Sequence, residues 1–162
     1  KPLDLDQKSV LELGCGSGII SLFSASKGAN VTASDINTIA LNALTVASKK
    51  NSFPVTILHS DLFDTIDKQQ FNYIIINPPY YPKQPKNEKE QAWFCGKDFD
   101  YFEKLFSQLP EFLATHTLMI LSDDCDLERI EQIALKNNLH FENIFEKKIA
   151  AETNFIFNIQ KK

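Results

Sequence analysis

Four consecutive residues, Asn77-Pro78-Pro79-Tyr80, bring together an amide side chain, carbonyls on residues that carry no N–H, and an aromatic ring. Amide and carbonyl oxygens accept hydrogen bonds, and an aromatic ring packs on flat groups. The set suits one job, holding a planar –NH2 group. It directly follows an apolar run, Phe71–Ile76, that reads as a buried strand. Two prolines cannot donate to a ladder, so the chain must leave the sheet there. The four residues would then sit at the carboxyl end of a strand, where open α/β sheets bind ligands. Taken alone, the same tetrapeptide also reads as a turn opened by asparagine.

A second constellation lies near the start of the chain. Leu11-Glu12-Leu13-Gly14-Cys15-Gly16-Ser17-Gly18 ends one apolar strand and opens a helical pattern. Glycines at that junction allow a tight turn and close approach of a ligand to the backbone. The spacing is G-x-G-x-G, and Ile19 stands where a dinucleotide fingerprint wants its third glycine. That disfavours an NAD-dependent reading. Asp35 closes the second strand, where a carboxylate can accept from both hydroxyls of a ribose. Asp61 follows the third strand and could accept from an adenine amino group. Either aspartate alone reads equally well as a helix cap or turn residue. Together the three strand ends point to a ligand with ribose and adenine but no phosphate to cradle, which is S-adenosylmethionine (SAM).

On these residues the chain resembles the class I SAM-dependent methyltransferases over essentially its whole length. LELGCGSG resembles that family's first motif, Asp35 its ribose acid and Asp61 its adenine-edge acid. The resemblance implies cofactor binding by Gly14, Cys15, Gly16, Gly18, Asp35, Ile36, Asp61, Leu62 and Asn77. NPPY is similar to the motif of the branch that methylates planar nitrogens: adenine or guanine amino groups, or a glutamine amide. It implies catalytic roles for Asn77, Pro78, Pro79 and Tyr80. Ala92-Trp93-Phe94-Cys95-Gly96 resembles an A-W-x-G-G segment of the release-factor glutamine methyltransferases, with Cys95 in place of the first glycine. Ala150-Ala151-Glu152-Thr153 resembles a run before the last strand of the same enzymes. A protein substrate such as a release factor is therefore expected. The alternatives are adenine or guanine in rRNA or tRNA, and a catalytically inactive partner protein with this fold. Trp93 could wall the substrate pocket or simply pack.

A delocalised amide or aromatic amine is a poor nucleophile, so such a site works mainly by orientation, worth up to about 7–11 kcal/mol. Two acceptors, the Asn77 side chain and the Pro78 carbonyl, would hold the two N–H groups. The nitrogen becomes acidic only as it is methylated, so no strong base is required beforehand.

The elements that must position these groups alternate. Strands are expected at Ser9–Leu13, Asn30–Ser34, Pro54–His59, Phe71–Ile76, Thr117–Leu121, His140–Lys148 and Thr153–Ile159. Helices are expected at Ile19–Lys27, stopped by Gly28, and at Asn37–Asn51, with a stripe of Ile39, Ala40, Ala43, Leu44 and Ala47. Two more are expected at Asp98–Leu113, broken or kinked at Pro110, and at Leu127–Asn137. This pattern predicts an α/β, Rossmann-like, doubly wound seven-stranded sheet, mostly parallel, with an antiparallel C-terminal hairpin. Tyr81–Lys97, rich in Pro, Lys and Gln, reads as a functional loop that is mobile without substrate.

The 162 residues fit one methyltransferase domain. The chain starts at Lys1 rather than Met, so an upstream segment is expected to be missing. A net charge of −4 argues against a general nucleic-acid binder. Cys15, Cys95 and Cys125 are scattered and suggest neither a metal site nor disulfides, which fits a cytoplasmic protein without metal. No apolar run reaches the ~20 residues of a membrane span.

Overall fold

A computed structural model describes residues 3–112 and 114–162. Seven strands form one sheet: β1 (Ser9–Leu13), β2 (Asn30–Asp35), β3 (Val55–His59), β4 (Tyr73–Ile76), β5 (His116–Ser122), β6 (Leu139–Ile149) and β7 (Glu152–Lys161). The four α-helices are α1 (Ile19–Ser26), α2 (Thr38–Asn51), α3 (Asp100–Gln108) and α4 (Leu127–Lys136). Strand order is β3-β2-β1-β4-β5-β7-β6. The first five strands pair in parallel, and β7 runs antiparallel to β5 and β6. This is the expected doubly wound architecture. Its order reverses between β1 and β4, the switch point where such sheets open a crevice at the strand ends.

Alternation along the strands sorts the core into two layers. Leu11, Leu13, Ile74, Ile76, Met119 and Leu121 pack with Phe102 and Phe106 of α3 and Ile130 of α4. Val10, Val31, Tyr73 and Leu118 pack on the opposite side with Ala25 of α1, and Ala33 with Leu41 and Leu44 of α2. The helix ends have local causes. Gly28, at φ 84°, stops α1 as its sequence suggested. The Asn37 side chain caps α2 by accepting from the Ile39 and Ala40 amides.

Several boundaries differ from expectation. Between β3 and β4, where no helix is expected, the described residues form turns. Leu62, Phe63, Ile66 and Phe71 of that crossover are buried in the α3 layer, and Phe63 stacks on Phe112 at 4.4 Å. β4 begins at Tyr73 because the Asn72 side chain turns back to accept from the Ser9 amide, 2.9 Å away. α3 starts two residues later than predicted and passes at Leu109 into a 3-10 turn containing Pro110. The predicted end at Leu113 lies outside the described residues. α2 buries Leu41 and Leu44 and leaves Ile39 68% exposed. The expected stripe was therefore rotated, because the larger leucines outcompete alanines for the core.

Candidate active site

The strand-end crevice is a cavity of about 850 Å³, within the ~300–1,000 Å³ range of small-molecule sites. One wall is the turn after β1. Gly14 and Gly16 take positive φ, and a Cβ at either would meet nothing within 4 Å, so bare backbone faces open space. Asp35 fixes this turn: its Oδ2 accepts from the Gly16 amide at 2.8 Å, and its Oδ1 from the Asn37 amide at 2.8 Å. A carboxylate offers about four acceptor sites, so each oxygen keeps capacity for a ligand hydroxyl.

Gly14, Cys15, Gly16, Asp35, Ile36, Asp61, Leu62, Asn77, Pro78, Pro79 and Tyr80 all line this cavity. Of the expected cofactor residues, Gly18 does not. It sits at φ 71°, where a Cβ would fall 2.4 Å from Leu44 Cδ1, so its smallness serves packing of the turn on α2. Cys15 is buried, and desolvation pushes its thiol up to about 12. It is an inert wall residue.

Asn77 is exposed to the cavity, and its side-chain amide makes no hydrogen bond among the described residues. The Tyr80 ring lies half-buried beside Tyr81, centroids 4.8 Å apart. The outer wall comes from the segment after Tyr80. That segment carries a short 3-10 helix, Glu90–Ala92, and a parallel bridge between Tyr81 and Phe94. The Tyr81 amide donates to the Trp93 carbonyl, the Cys95 amide to the Tyr81 carbonyl, and the Gly96 amide to the Lys83 carbonyl. Trp93 lines the cavity and is 63% exposed, so it is not a core aromatic. Glu152 is half-buried at the start of β7 and lies away from the cavity.

Among the lining residues that the sequence reading did not assign to the site are Glu12, Tyr101 and Lys104. Glu12 of β1 is buried, and its Oε2 accepts from both the amide and the hydroxyl of Ser21. Desolvation pushes its carboxyl up to about 7 against those hydrogen bonds, with a further rise from the Asp35 charge. Tyr101 lines the cavity from α3, and desolvation, with Asp35 and Asp61 nearby, raises its phenol well above the usual range. Lys104, one turn further along α3, donates to Asp61 Oδ2 and to Asp64 Oδ2, each at 2.7 Å. Burial lowers the Lys104 pKa, but those two bonds outweigh it and the net shift is upward. A sequence signal existed for Tyr101 and Lys104, which share one helical face at i, i+3 spacing. Only the fold brings Lys104 to Asp61, 43 positions away.

Among the described residues no group of three or more His, Cys, Asp or Glu is arranged to hold a metal ion. Likewise, no described helix is long and apolar enough to cross a membrane. The Asp35 and Asp61 carboxylates and the bare glycine turn all face this one cavity, so the residues present are open to a ligand with donor groups such as the SAM the resemblance implied.

Comparison with known proteins agrees. A Methanocaldococcus jannaschii protein named for N5-methylation of protein glutamine is 32% identical over 117 residues, covering 68% of this chain and 59% of that protein. The ribosomal RNA small subunit methyltransferase C of Marinomonas sp. is 41% identical over 81 residues, 48% of this chain and 23% of its own length. The chain thus spans less than two thirds of either relative. The solved E. cuniculi Mtq2-Trm112 complex, responsible for methylation of the eRF1 translation termination factor, has the same fold. It superposes with a TM-score of 0.70 at 18% identity, covering 97% of this chain and 87% of that one. Residues 2–95 match the family described as methyltransferase small domain, more than half of the chain. With this sheet order and this strand-end cavity, the chain belongs to the methyltransferase small-domain family.

Proposed function

We propose that the chain transfers a methyl group from SAM to a planar nitrogen, and that this nitrogen is the side-chain amide of a glutamine in a protein such as a release factor. One observation carries the reading. The unpartnered Asn77 amide and the Pro78 carbonyl share a single cavity with the bare Gly14–Gly16 turn and with Asp35. Donor and acceptor sites therefore adjoin.

SAM supplies an electrophilic methyl on its sulfonium. Asp35 and the glycine turn would hold the ribose end, and Asp61 and Leu62 would border the adenine end. Asn77 Oδ1 and the Pro78 carbonyl accept the two N–H bonds of the target, which turns its lone-pair direction toward the methyl. The Tyr80 ring packs on the flat face of the target group. When bound, SAM would supply the methyl and leave as the neutral thioether, and the methylated nitrogen would give up its proton to water. The chain's contribution is orientation and binding, while the reactive methyl belongs to the donor.

The glutamine reading draws support from the Methanocaldococcus relative, which is named for that reaction. An acidic net charge of −4 also suits a protein substrate better than RNA. The test incubates the purified protein with radiolabelled SAM and a cell lysate, then treats separate portions with protease and with ribonuclease. Label released only by protease supports a protein substrate, with recovery of N5-methylglutamine after complete digestion required for the glutamine reading, and label released only by ribonuclease replaces it with a base nitrogen. Asn77→Ala should abolish labelling while calorimetry still detects SAM binding. Near-full labelling by that variant would overturn the orientation mechanism.

A further inference from the structure

We infer that Lys104 is a specificity-determining residue for the adenine end of the donor: it orients the Asp61 carboxylate so that one oxygen stays available as an acceptor in the cavity. The inference rests on the SAM-site reading above and goes beyond it, because it assigns a role to a residue on the opposite wall.

The geometry is explicit. Lys104 Nζ binds Asp61 Oδ2 at 2.7 Å, and among the described residues Asp61 Oδ1 has no donor. Lys104 is itself fixed by Asp64 Oδ2 at 2.7 Å, while Asp64 Oδ1 accepts from Gln108 Nε2 at 2.7 Å. The backbone of the turn is held mainly by Ser60 Oγ, which donates to the Leu62 carbonyl and accepts from the Thr65 amide, and Lys104 Nζ also reaches the Asp61 carbonyl, at 3.5 Å. Two restraints therefore act on Asp61, one on its main chain and one on its side chain. The side-chain restraint is the one that selects which oxygen is free. Asp61 is 51% exposed at its side chain, so without Lys104 its carboxylate would rotate into water. Asp61 and Lys104 both line the cavity, whereas Asp64 and Gln108 do not. A group with an N–H pointing at Oδ1 is accepted, and a group lacking that donor leaves the oxygen unpaired.

The test measures binding of S-adenosylhomocysteine and of its analogue lacking the purine 6-amino group, by calorimetry, in wild type and variants. No turnover occurs with either ligand. Wild type should prefer the amino compound by about 10- to 100-fold, the range expected for one hydrogen bond to a charged acceptor. Lys104→Met and Lys104→Gln should each cut that preference at least about fivefold, and Lys104→Arg should restore most of it. Asp64→Asn, which loosens the anchor of Lys104 outside the cavity, should cut the preference less than Lys104→Met does. A ratio unchanged in both Lys104→Met and Lys104→Gln, with S-adenosylhomocysteine still bound, overturns the inference and leaves the SAM site standing. Failure of wild type to bind S-adenosylhomocysteine overturns the SAM-site reading itself.

Discussion

Asp35→Ala tests two roles of one carboxylate. Each Asp35 oxygen holds a backbone amide, Gly16 on one side and Asn37 on the other, both at 2.8 Å. Hydrogen bonds to a charged acceptor contribute roughly 1.5–3 kcal/mol each when removed. Asp35 is half-buried, so water can reach the freed amides and the low end applies. The expected loss of folding stability is about 2–3 kcal/mol, read by urea denaturation with and without ligand. Binding should suffer more. Two ribose hydroxyls lose their acceptor and the glycine turn loses its restraint, together about 3 kcal/mol or more, which is a loss of affinity on the order of 100-fold. Titration calorimetry with SAM measures it directly. Asp35→Asn keeps one acceptor and should fall between wild type and alanine in both assays. Affinity within about threefold of wild type in Asp35→Ala would refute the ribose assignment. Unchanged stability would refute the claim that Asp35 locks the turn.

Gly18→Ala should destabilise the protein by about 2–4 kcal/mol, because φ is +71° and the new Cβ would displace the fully buried Leu44; a thermal melt unchanged from wild type would contradict this packing. Ser52→Gly should stabilise by roughly 0.5–1 kcal/mol, since Ser52 caps α2 at φ 56°; the check is the urea midpoint. Glu12 titrates near 7 when folded against an ordinary 4.5. The folded state therefore holds an extra proton between those values, and stability falls as pH rises from about 4.5 to about 7, by roughly 3 kcal/mol. Glu12→Gln should flatten that slope and exceed wild type in stability at pH 8, as measured by urea melts at pH 5 and pH 8.

The sheet was legible because its central strands β1 and β4 are largely buried and read as apolar runs, closed by Gly14 and by Asn77-Pro78. The antiparallel end was legible because only Ala150 and Ala151 separate two alternating runs. No helix was expected between β3 and β4, and none forms among the described residues. Leu62, Phe63, Ile66 and Phe71 carry enough apolar surface to fill that layer without regular structure. The strand-end residues Asp35, Asp61 and Asn77 were identifiable from position alone. Glu12, Tyr101 and Lys104 were not, since a buried acid looks like a surface one in a sequence, and α3 meets the Asp61 turn only after long-range packing. Gly18 shows the reverse case: it matched a motif yet packs against Leu44 and stays off the cavity lining.

The outer wall of the cavity has a consequence for how such a site diversifies. The inner wall is made of strand ends whose positions follow from sheet register, so it cannot change without disturbing the core. The wall from Tyr81 to Gly96 closes its backbone hydrogen bonds mainly within itself, through Tyr81–Trp93, Cys95–Tyr81 and Gly96–Lys83. It behaves as a cassette bolted to a fixed donor chamber. Replacing its contents leaves the sheet intact while presenting a new face to the acceptor, so one chamber can be refitted for a protein side chain or for an RNA base.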